Sequence, residues 1–464
     1  MNMKLKQFKK EIREKKVAVL GIGISNTPLI KYLAKLGVDI TAFDKADEVA
    51  LKTSIEAFNG MHAEFSLGEN YLDNLKGFDM IFKTPKIRFD IPELVKERER
   101  GAVVTSEMEV FCDLCPAKIF AVTGSDGKTT TTTLIHMILK EQGFNCWLGG
   151  NIGTPLLSNI DEIKETDMVV LELSSFQLHT MKNRLNTVVI TNISPNHLDV
   201  HKSMEEYIEA KKNILKYQTG DDTLVLNYDN DITRSFKDEA KGKVLYFSKT
   251  DDIIEGIVLE DGVIVYKTPN GKKPIIKVDE IQLPGMHNIE NYMAAAAATA
   301  NYTRPDAIRR VAATFGGVEH RIEHVRDIRG VKFYNDSIGT SPTRTIASIK
   351  AFKQRVILIA GGYDKHTPYD EMGNTLAERV KCLVLLGQTA PLIEKALKDE
   401  TCKNGRGKDI PVIRCATLDE AVRIAFENAV ENDIILLSPA SASFDMFTNF
   451  EERGNSFKEI VGKL

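Results

Sequence analysis

The chain has 464 residues, of which 43% are apolar and 27% charged, and its formal net charge is −4. Such a composition excludes a disordered or collagen-like chain, and without a basic excess it argues against nucleic acid as a partner. An anionic substrate is still compatible with a local positive pocket, and the length predicts two or three domains.

Residues 1–16 are polar and rich in lysine, and no apolar signal-peptide core follows them. No window reaches the roughly 18 apolar residues that a transmembrane helix needs. We therefore expect a cytoplasmic protein that does not associate with membranes and, since no heptad or other assembly motif is present, a monomer. Cys112 and Cys115 have no second cysteine pair at zinc spacing, so we interpret them as reduced structural thiols.

Short β-branched runs alternate with amphipathic stretches, which predicts an α/β protein with parallel sheets. The strand–helix series restarts twice, which predicts three domains over residues 1–107, 108–318 and 319–464. The first and third are expected to be Rossmann-like, and the second a central P-loop mononucleotide-binding sheet with a small β extension. The predicted helices include residues 28–36 and an alanine-rich segment over residues 288–301.

The predicted strands of the first series are residues 16–21, 38–43, 80–82 and 103–105. Those of the second series are residues 118–122, 168–173 and 188–192. A β-hairpin is expected over residues 257–266, because Asp261-Gly262 readily adopts the positive φ angles of a tight turn. Those of the third series are residues 331–334, 356–360, 382–386, 412–414 and 433–437.

The motif Gly21-Ile-Gly-Ile-Ser-Asn26 follows a predicted strand and opens a helix. Glycines let the backbone approach a pyrophosphate, and the helix N-terminus offers it unpaired N–H groups. Asp44 ends the next strand, where a carboxylate could accept a hydrogen bond from a sugar hydroxyl. Asn26 stands where dehydrogenases need a third small residue, so NAD, another nucleotide diphosphate and a purely structural turn all stay open.

The strongest motif is Thr123-Gly-Ser-Asp-Gly-Lys-Thr-Thr130, which lies between a predicted strand and a helix. Its glycines expose backbone N–H groups to phosphate, Lys128 offers a charge to the β- and γ-phosphates, and a threonine hydroxyl can bind Mg²⁺. The two glycines are closer by two residues than in the standard GxxxxGK[ST] motif. The motif predicts a phosphate-binding loop.

Polar segments follow the next two predicted strands, residues 171–177 after one and residues 192–199 after the other. The carboxyl ends of parallel strands are where α/β sheets place ligands, so Glu172 and His197 are candidate metal ligands. A lone histidine is more often structural, however. The helix that carries Lys211 would, without other information, indicate a solvated face.

Together, the short phosphate loop, the acidic strand end, the histidine loop and the lysine-bearing helix resemble the Mur ligases, in that family's order and over nearly the whole chain. Residues 172–178, 438–445 and 449–455 look like its D-glutamate-adding members. The resemblance implies an ATP-dependent ligase of peptidoglycan precursor synthesis, which adds D-glutamate to UDP-N-acetylmuramoyl-L-alanine through an acyl phosphate.

The resemblance also implies the site residues. ATP would be bound by Gly124, Ser125, Asp126, Gly127, Lys128, Thr129, Thr130, Asn288, Asn291, Arg321 and Asp336. The UDP substrate would be bound by Ser25, Asn26, Asp44, Lys45, Asn151, Ser174 and Gln177. D-glutamate would be bound by Lys365, Ser443 and Phe450.

Two Mg²⁺ ions would be held by Thr129, Glu172, His197 and a carbamylated Lys211. Carbamylation meets a chemical need, because an ammonium group cannot bind a metal ion whereas a lysine carbamate is an anion and can. The catalytic residues implied by the resemblance are Lys128, Lys211 and His197.

The chain departs from the family pattern in three places. Ile338 stands where lysine is common, and Arg344 could supply the missing cation. Residues 84–86, Thr-Pro-Lys, replace the usual Ser-Pro-Gly, and Asn196 precedes His197 where an acidic residue is frequent. The phosphate loop and the C-terminal motif keep the pattern.

Three alternatives stay open. A sister ligase, such as a folylpolyglutamate synthase or another muropeptide ligase, would share the ATP chemistry, but residues 438–443 argue against it. An NAD-dependent oxidoreductase built on the Gly21 turn would leave the Lys128 loop unexplained. A non-enzymatic nucleotide-binding regulator would bind ATP without substrate-dependent turnover.

Overall fold

The apolar runs of the sequence form the strands of three β-sheets in the computed structural model, which describes residues 2–23, 26–195, 201–250, 253–283, 285–364 and 367–464. The chain divides into two compact units, Met1–Thr314 and Phe315–Leu464. The first two sheets belong to the first unit and the third sheet to the second. The domain bounds at residues 107 and 318 stay predictions.

The strands of the first sheet are β1 (Lys16–Leu20), β2 (Asp39–Asp44), β3 (Glu64–Leu67), β4 (Met80–Lys83) and β5 (Val103–Thr105). Its helices are α1 (Met3–Glu11), α2 (Asn26–Lys35), α3 (Lys52–Glu56), α4 (Pro92–Glu99) and α5 (Glu107–Leu114). The strand order is β3-β2-β1-β4-β5, and every pairing is parallel. Val17 and Val19 of β1 pack into one apolar cluster and Ala18 and Leu20 into another, so both faces of this central strand are covered.

The strands of the central sheet are β6 (Lys118–Thr123), β7 (Cys146–Gly150), β8 (Met168–Glu172), β9 (Thr187–Ile190), β10 (Thr223–Asn227), β11 (Lys243–Ser248), β12 (Gly256–Glu260), β13 (Val263–Thr268) and β14 (Gly271–Lys277). Its helices are α6 (Lys128–Gln142), α7 (Ser175–Leu178), α8 (Met204–Lys216), α9 (Asp231–Ser235), α10 (Met286–Thr299) and α11 (Pro305–Thr314).

The order of this sheet is β14-β13-β12-β11-β10-β9-β6-β8-β7. From β7 at one edge as far as β12, neighbouring strands are parallel. At the other edge, β12, β13 and β14 form the antiparallel extension. The predicted hairpin turn is confirmed, with φ angles of 45° at Asp261 and 75° at Gly262. The predicted alanine-rich helix is also confirmed as α10. The alanines of residues 294–298 are buried, and α10 packs against α6 and against strands β9 to β12.

The strands of the third sheet are β15 (Glu323–Ile328), β16 (Val331–Asn335), β17 (Val356–Gly361), β18 (Val380–Leu386), β19 (Val412–Arg414) and β20 (Ile434–Leu437). Its helices are α12 (Pro342–Lys350), α13 (Met372–Arg379), α14 (Ala390–Asn404), α15 (Leu418–Glu427) and α16 (Phe450–Gly462). The order is β15-β16-β20-β17-β18-β19, with only β15 antiparallel to its neighbour among these strands. Two apolar clusters cover its two faces.

Two further expectations can be compared with the structure. All six cysteines are free thiols, and burial raises the pKa of Cys112 well above its usual value and that of Cys115 to about 11, as expected of structural thiols. In the part of the chain that the structure describes, no helix has both the length and the apolar character needed to cross a membrane.

Candidate active site

The candidate site lies at the carboxyl ends of β6, β8 and β9, three neighbouring parallel strands of the central sheet. The predicted phosphate loop follows β6, Glu172 ends β8, and residues 191–194 follow β9. The carboxyl ends of parallel strands meet at one edge, so the fold brings together groups that are far apart in the sequence.

The loop between β6 and α6 is tightly constrained. Gly127 has a left-handed φ of 76°, and a Cβ atom there would lie 2.4 Å from Asn291 Oδ1. A Cβ atom at Gly124 would lie 1.9 Å from Thr191 Oγ1. Lys128 begins α6, and its Nζ donates to the carbonyls of Gly124 at 2.9 Å and Ser125 at 2.8 Å. The N–H groups of the helix N-terminus and this cation suit a phosphate.

The segment after β9 holds this loop in place. Asp126 N–H donates to Asn192 Oδ1 at 3.0 Å, and Thr191 Oγ1 donates to the Asp126 carbonyl at 2.6 Å. Ser125 Oγ donates to the Ser194 carbonyl at 2.9 Å. The sequence did not predict that Thr191 and Asn192 would stabilise this loop, because short polar residues after a strand are common.

Lys211, on α8, reaches the same loop. Its side chain is 2% exposed, and Nζ donates to the Gly124 carbonyl at 2.8 Å and to Thr123 Oγ1 at 3.3 Å. The Tyr207 ring centroid lies 4.8 Å from Nζ, and the Tyr207 hydroxyl is hydrogen-bonded to Ser125 Oγ at 2.9 Å. Tyr207 was missed from the sequence, although its position four residues before Lys211 places both side chains on one helix face.

Burial lowers the pKa of Lys211 to about 7, and the positive charge of Lys128 adds to this effect. The nearby carboxylates of Glu172 and Asp126 act in the opposite direction. A neutral amine is therefore well populated near neutral pH, whereas an exposed lysine stays almost fully charged.

Glu172 is buried at the end of β8, with 1% of its surface exposed. Its Oε1 accepts from Asn151 Nδ2 at 2.7 Å, whereas Oε2 is buried without a hydrogen-bond partner among the described residues. A buried carboxylate oxygen without a partner is costly, so this position fits a cation. The predicted ligand Thr129 lies in the first turn of α6, and His197 falls outside the described residues.

Four further residues that were predicted to bind ligands form two groups, one at α7 and one on α10. Ser174 and Gln177 cap the short helix α7, since Ser174 N–H donates to Gln177 Oε1 at 3.0 Å and Gln177 N–H donates to Ser174 Oγ at 3.3 Å. On α10, Asn291 Nδ2 donates to Asn288 Oδ1 at 3.2 Å, and Thr131 Oγ1 donates to Asn291 Oδ1 at 3.2 Å. The second group therefore lies beside the phosphate loop.

In the first sheet, Asp44 ties the glycine turn to the end of β2. Its carboxylate accepts from the N–H groups of Ile22 at 2.7 Å and Ala46 at 2.9 Å. Asn26 is buried and donates to the Leu20 carbonyl at 3.0 Å. Lys45 is exposed, and Ser25 lies outside the described residues. The turn thus has the expected position, and its polar side chains help to shape it.

A pocket of about 390 Å³ opens between the segment after β4 and the α7 region. Cationic and aromatic side chains dominate its wall, which is formed by Lys83, Pro85, Lys86, Ile87, Arg88, Phe89, Phe176, His179 and His201. Phe176 lies in the segment from Ser174 to Gln177 that was expected to contact the UDP substrate, and Lys86 lies in the segment that departs from the family pattern.

In the second unit, Asp336 is buried after β16. Its Oδ2 accepts from Ser438 Oγ at 2.7 Å and its Oδ1 from Ile322 N–H at 3.3 Å. Burial raises its pKa to about 6, while the charge of Arg321 acts against this shift. Because both predicted ATP-side residues interact, they belong to one local site.

The C-terminal motif is organised by Arg453, which sequence reasoning did not assign a role. The guanidinium is 3% exposed and donates to Ser337 Oγ at 3.0 Å, to the Ser337 carbonyl at 2.9 Å, and to the carbonyls of Ser441 and Ala442 at 3.2 and 3.1 Å. Of the predicted D-glutamate residues, Ser443 is buried in this motif and Phe450 is partly buried at the start of α16, while Lys365 lies outside the described residues.

Comparison with known families matches two segments of the chain. The Mur ligase middle domain matches residues 122–299, and the Mur ligase, glutamate ligase domain matches residues 320–441. The first segment contains the phosphate loop, Glu172 and Lys211.

Two relatives match over their full lengths. A protein of Acetivibrio thermocellus named UDP-N-acetylmuramoylalanine–D-glutamate ligase is 64% identical over 464 residues, which is 100% of both chains. A protein of Ruminiclostridium cellulolyticum with the same name is 59% identical, also over 100% of both chains. Among solved structures, UDP-N-acetylmuramate-alanine ligase from Thermotoga maritima has a TM-score of 0.57 and 19% identity, covering 97% of this chain and 99% of the other, which shows a shared fold.

Proposed function

Because the chain belongs to the Mur ligase family, we propose that it is the ATP-dependent ligase that joins D-glutamate to UDP-N-acetylmuramoyl-L-alanine in peptidoglycan precursor synthesis. The observation that carries the proposal is full-length identity of 64% and 59% to two proteins that bear this activity in their names. The buried group of phosphate loop, Glu172 and Lys211 supplies the chemistry that such a ligase needs.

The reaction begins when the substrate carboxylate attacks the γ-phosphorus of ATP, so that ADP leaves and an acyl phosphate forms. The D-glutamate amine then attacks the acyl carbon, and phosphate leaves from the tetrahedral intermediate. In this scheme, the N-terminus of α6 and the loop N–H groups bind the phosphates, and Lys128 exchanges its two carbonyl partners for phosphate oxygens. Asn288, Asn291, Arg321 and Asp336 are our candidates for further nucleotide contacts.

Mg²⁺ fits the donor set around Glu172. The unpaired Oε2 and the Thr129 hydroxyl are oxygen donors of the kind that this ion prefers, and His197 and a Lys211 carbamate are further candidates. Bound Mg²⁺ would neutralise the charge that develops on the transferring phosphoryl group.

We propose that Lys211 is carbamylated. The neutral amine attacks CO₂, which forms an N–C bond and releases one proton, and the low pKa of this buried lysine supports the step. The product is an anion near Glu172 and Lys128, so the charge of the position changes from neutral to negative. Such a change suits metal binding.

For the substrates, we propose that Asn26, Asp44, Lys45, Asn151, Ser174 and Gln177 contribute to binding of the UDP-linked precursor, together with Ser25. Ser443, Phe450 and Lys365 are proposed for D-glutamate. The chain is further proposed to act as a cytoplasmic monomer, and sedimentation at a mass of 51.8 kDa would agree with this oligomeric state whereas twice that mass would not.

The function is tested by phosphate release from ATP and Mg²⁺ with UDP-N-acetylmuramoyl-L-alanine, adding D-glutamate, L-glutamate, L-lysine or glycine in turn. Release that needs both the UDP substrate and D-glutamate is expected. Release with another amino acid would keep the ligase chemistry and reject D-glutamate as the substrate. ATP binding without release under any pairing would favour a nucleotide-binding regulator.

A further inference from the structure

An ion-pair bridge links the pocket wall to the helix that carries Lys211. Arg88 Nε and Nη2 donate to the two oxygens of Asp90 at 2.8 and 3.0 Å, and Nη2 also donates to Glu206 Oε1 at 2.9 Å. Lys202 Nζ donates to Asp90 Oδ2 at 3.0 Å. We call Arg88, Asp90 and Glu206 the Arg88 bridge. It connects the segment after β4, in the first sheet, to α8, beside the central sheet.

Both ends of the bridge are next to candidate substrate or catalytic groups. On one side, residues 85–89 form part of the pocket wall. On the other, Ser203 caps α8, and Glu206 lies in its first turn. Lys211 follows five residues later, roughly 7 to 8 Å along the helix axis. Because α8 is a continuous helix, a movement of its first turn, which contains Glu206, would also move Lys211.

The bridge differs from an ordinary surface ion pair. The side chains of Arg88, Asp90 and Glu206 are 26%, 30% and 19% exposed, and the Arg88–Asp90 contact is bidentate. A planar guanidinium that is shared by two carboxylates fixes direction as well as distance. The ion pair holds the pKa of Asp90 well below its usual range, so the pair stays charged at neutral pH.

Glu206 could also be considered a metal ligand, since it lies near His179 and His201. His179 Nε2 is 3.5 Å from Glu206 Oε1. Arg88 donates to this same oxygen, however, and its positive charge opposes a second cation a few ångströms away. The carboxylate is better explained as the acceptor that joins Arg88 to α8.

We propose that Arg88 is a positioning residue of the ligase reaction, which fixes the pocket wall of residues 85–89 relative to α8 and therefore to Lys211. The inference rests on the proposed function, since it takes this pocket to face the UDP-linked substrate. The proposed role of Arg88 acts through its ion pairs with Asp90 and Glu206.

Steady-state kinetics with the UDP substrate varied test the proposal. Arg88→Gln is expected to raise KM for this substrate roughly fivefold, equivalent to about 1 kcal/mol, with a smaller fall in kcat and an unchanged KM for D-glutamate. Arg88→Lys keeps the charge but loses the planar fork, and should give an intermediate value. Glu206→Gln should match Arg88→Gln, and the double variant should be no worse than either single variant.

Arg184→Gln is the matched control. Arg184 makes a bidentate pair with Asp222, at 2.9 and 3.0 Å, near the start of β9 and β10 and therefore at the opposite edge of the sheet. It should lower thermal stability without changing KM for the UDP substrate. An unchanged KM in Arg88→Gln, or additive effects in the double variant, would overturn the proposal.

Hydrogen–deuterium exchange separates failure of this inference from failure of the proposed function. If the wild-type chain releases no phosphate with the UDP substrate, the function fails, and the bridge is still tested by amide exchange. Faster exchange at both residues 84–91 and 203–211 in Arg88→Gln is expected. Faster exchange confined to residues 84–91 would show that the bridge does not hold α8, and would reject it.

Discussion

At the scale of single residues, burial of Lys211 lowers the stability of the folded chain but favours the neutral amine that the proposed reaction with CO₂ needs. Its pKa is about 7 in the folded chain and near 10.5 when exposed, so the unfolded chain binds more protons between these values. The free energy of unfolding of the chain therefore rises, on account of Lys211, as the pH increases from 7 to 10.5. The full cost of burying the ammonium group is present below pH 7, where the amine is not available to react with CO₂.

Lys211→Met should therefore stabilise the metal-free chain in degassed buffer. We expect a gain of about 1–3 kcal/mol at pH 8, with the difference from wild type shrinking as the pH approaches 10. Urea denaturation across this pH range measures the effect. A difference that does not depend on pH would contradict the assignment of the cost to the buried charge.

The same position predicts a dependence of the ligase reaction on dissolved CO₂. In degassed buffer, activity should fall as the pH decreases below 7, because protonated Lys211 cannot form a carbamate, and added bicarbonate should restore part of it. Lys211→Gln should lose activity by roughly 100-fold or more, since one metal-binding anion is removed. Bicarbonate that has no effect on a freshly degassed wild-type enzyme would count against carbamylation.

Ile338 leaves the second unit without the lysine that Mur ligases commonly carry there. Arg344 Nη1 donates to the Ile338 carbonyl at 3.4 Å, so a cation does reach this position from α12. Arg344→Gln is expected to raise KM for ATP roughly fivefold, or about 1 kcal/mol, and Ile338→Lys to reverse most of this loss. Arg355, which lies just before β17, is the control. Its guanidinium donates to the Glu378 carbonyl, and Arg355→Gln should leave KM for ATP unchanged.

At the scale of elements, the predicted phosphate loop keeps its shape because a strand, a tight turn and a helix N-terminus are fixed to one another. Gly127 makes the turn with a left-handed φ, while Asn291 of α10 leaves no room for a side chain. The loop geometry therefore depends on a helix more than 150 residues away in the sequence, which packs against α6.

Gly127→Ala should accordingly impair ATP use. We expect a loss of about 1–3 kcal/mol in unfolding free energy, from the left-handed backbone and the displaced Asn291, and at least a roughly tenfold increase in KM for ATP. Gly143→Ala is a matched control on the same helix, since Gly143 has φ of 107° but open space around its Cβ position. It should cost stability alone, and an equal change in KM in both variants would refute the steric argument.

The position of a strand in its sheet explains only part of what the sequence predicted. The central strands β1 and β6 read as continuous apolar runs, because both of their faces are buried. The strands β3 and β7 lie at sheet edges, and their sequences Glu-Phe-Ser-Leu and Cys-Trp-Leu-Gly-Gly are partly exposed and lack that pattern. These two edge strands were not predicted, and neither were β10 and β11 inside the central sheet, whereas β5 and β19 at sheet edges were.

At the scale of the whole molecule, the two units have separate apolar cores, which predicts that a defect in one core can be observed separately from the other. Arg453→Ala would leave the carbonyls of Ser337, Ser441 and Ala442 without their buried donor. We expect the second unit to lose about 3–5 kcal/mol.

Scanning calorimetry checks this prediction. One transition should move to lower temperature in Arg453→Ala, and the transition of residues 1–314 should keep its position. The exposed Arg423, which pairs with Asp419 four residues before it, supplies the control, since its change to alanine should leave both transitions in place. Transitions that shift together would contradict independent units.

The candidate site was predictable where a motif is local in sequence. The phosphate loop, its lysine and Glu172 were predicted directly from the residues, and the resemblance supplied the role of Lys211. Tyr207, Thr191 and Arg88 could not be found in this way, because their roles come from contacts between segments that only the folded chain brings together. The signal for Tyr207, its spacing from Lys211, becomes meaningful once that lysine is known to point inward.

The unpaired Oε2 of Glu172 also affects how this protein should be measured in the laboratory. If Glu172 binds Mg²⁺ and Lys211 reacts with dissolved CO₂, as proposed, the stability of the chain should depend on magnesium and on exposure to air even without substrates. An unfolding curve recorded in a chelating, degassed buffer should then describe a different chemical species from one recorded in air with magnesium present. In a thermal-shift screen without fixed concentrations of magnesium and CO₂, a compound could therefore raise the melting temperature by changing the binding of either one.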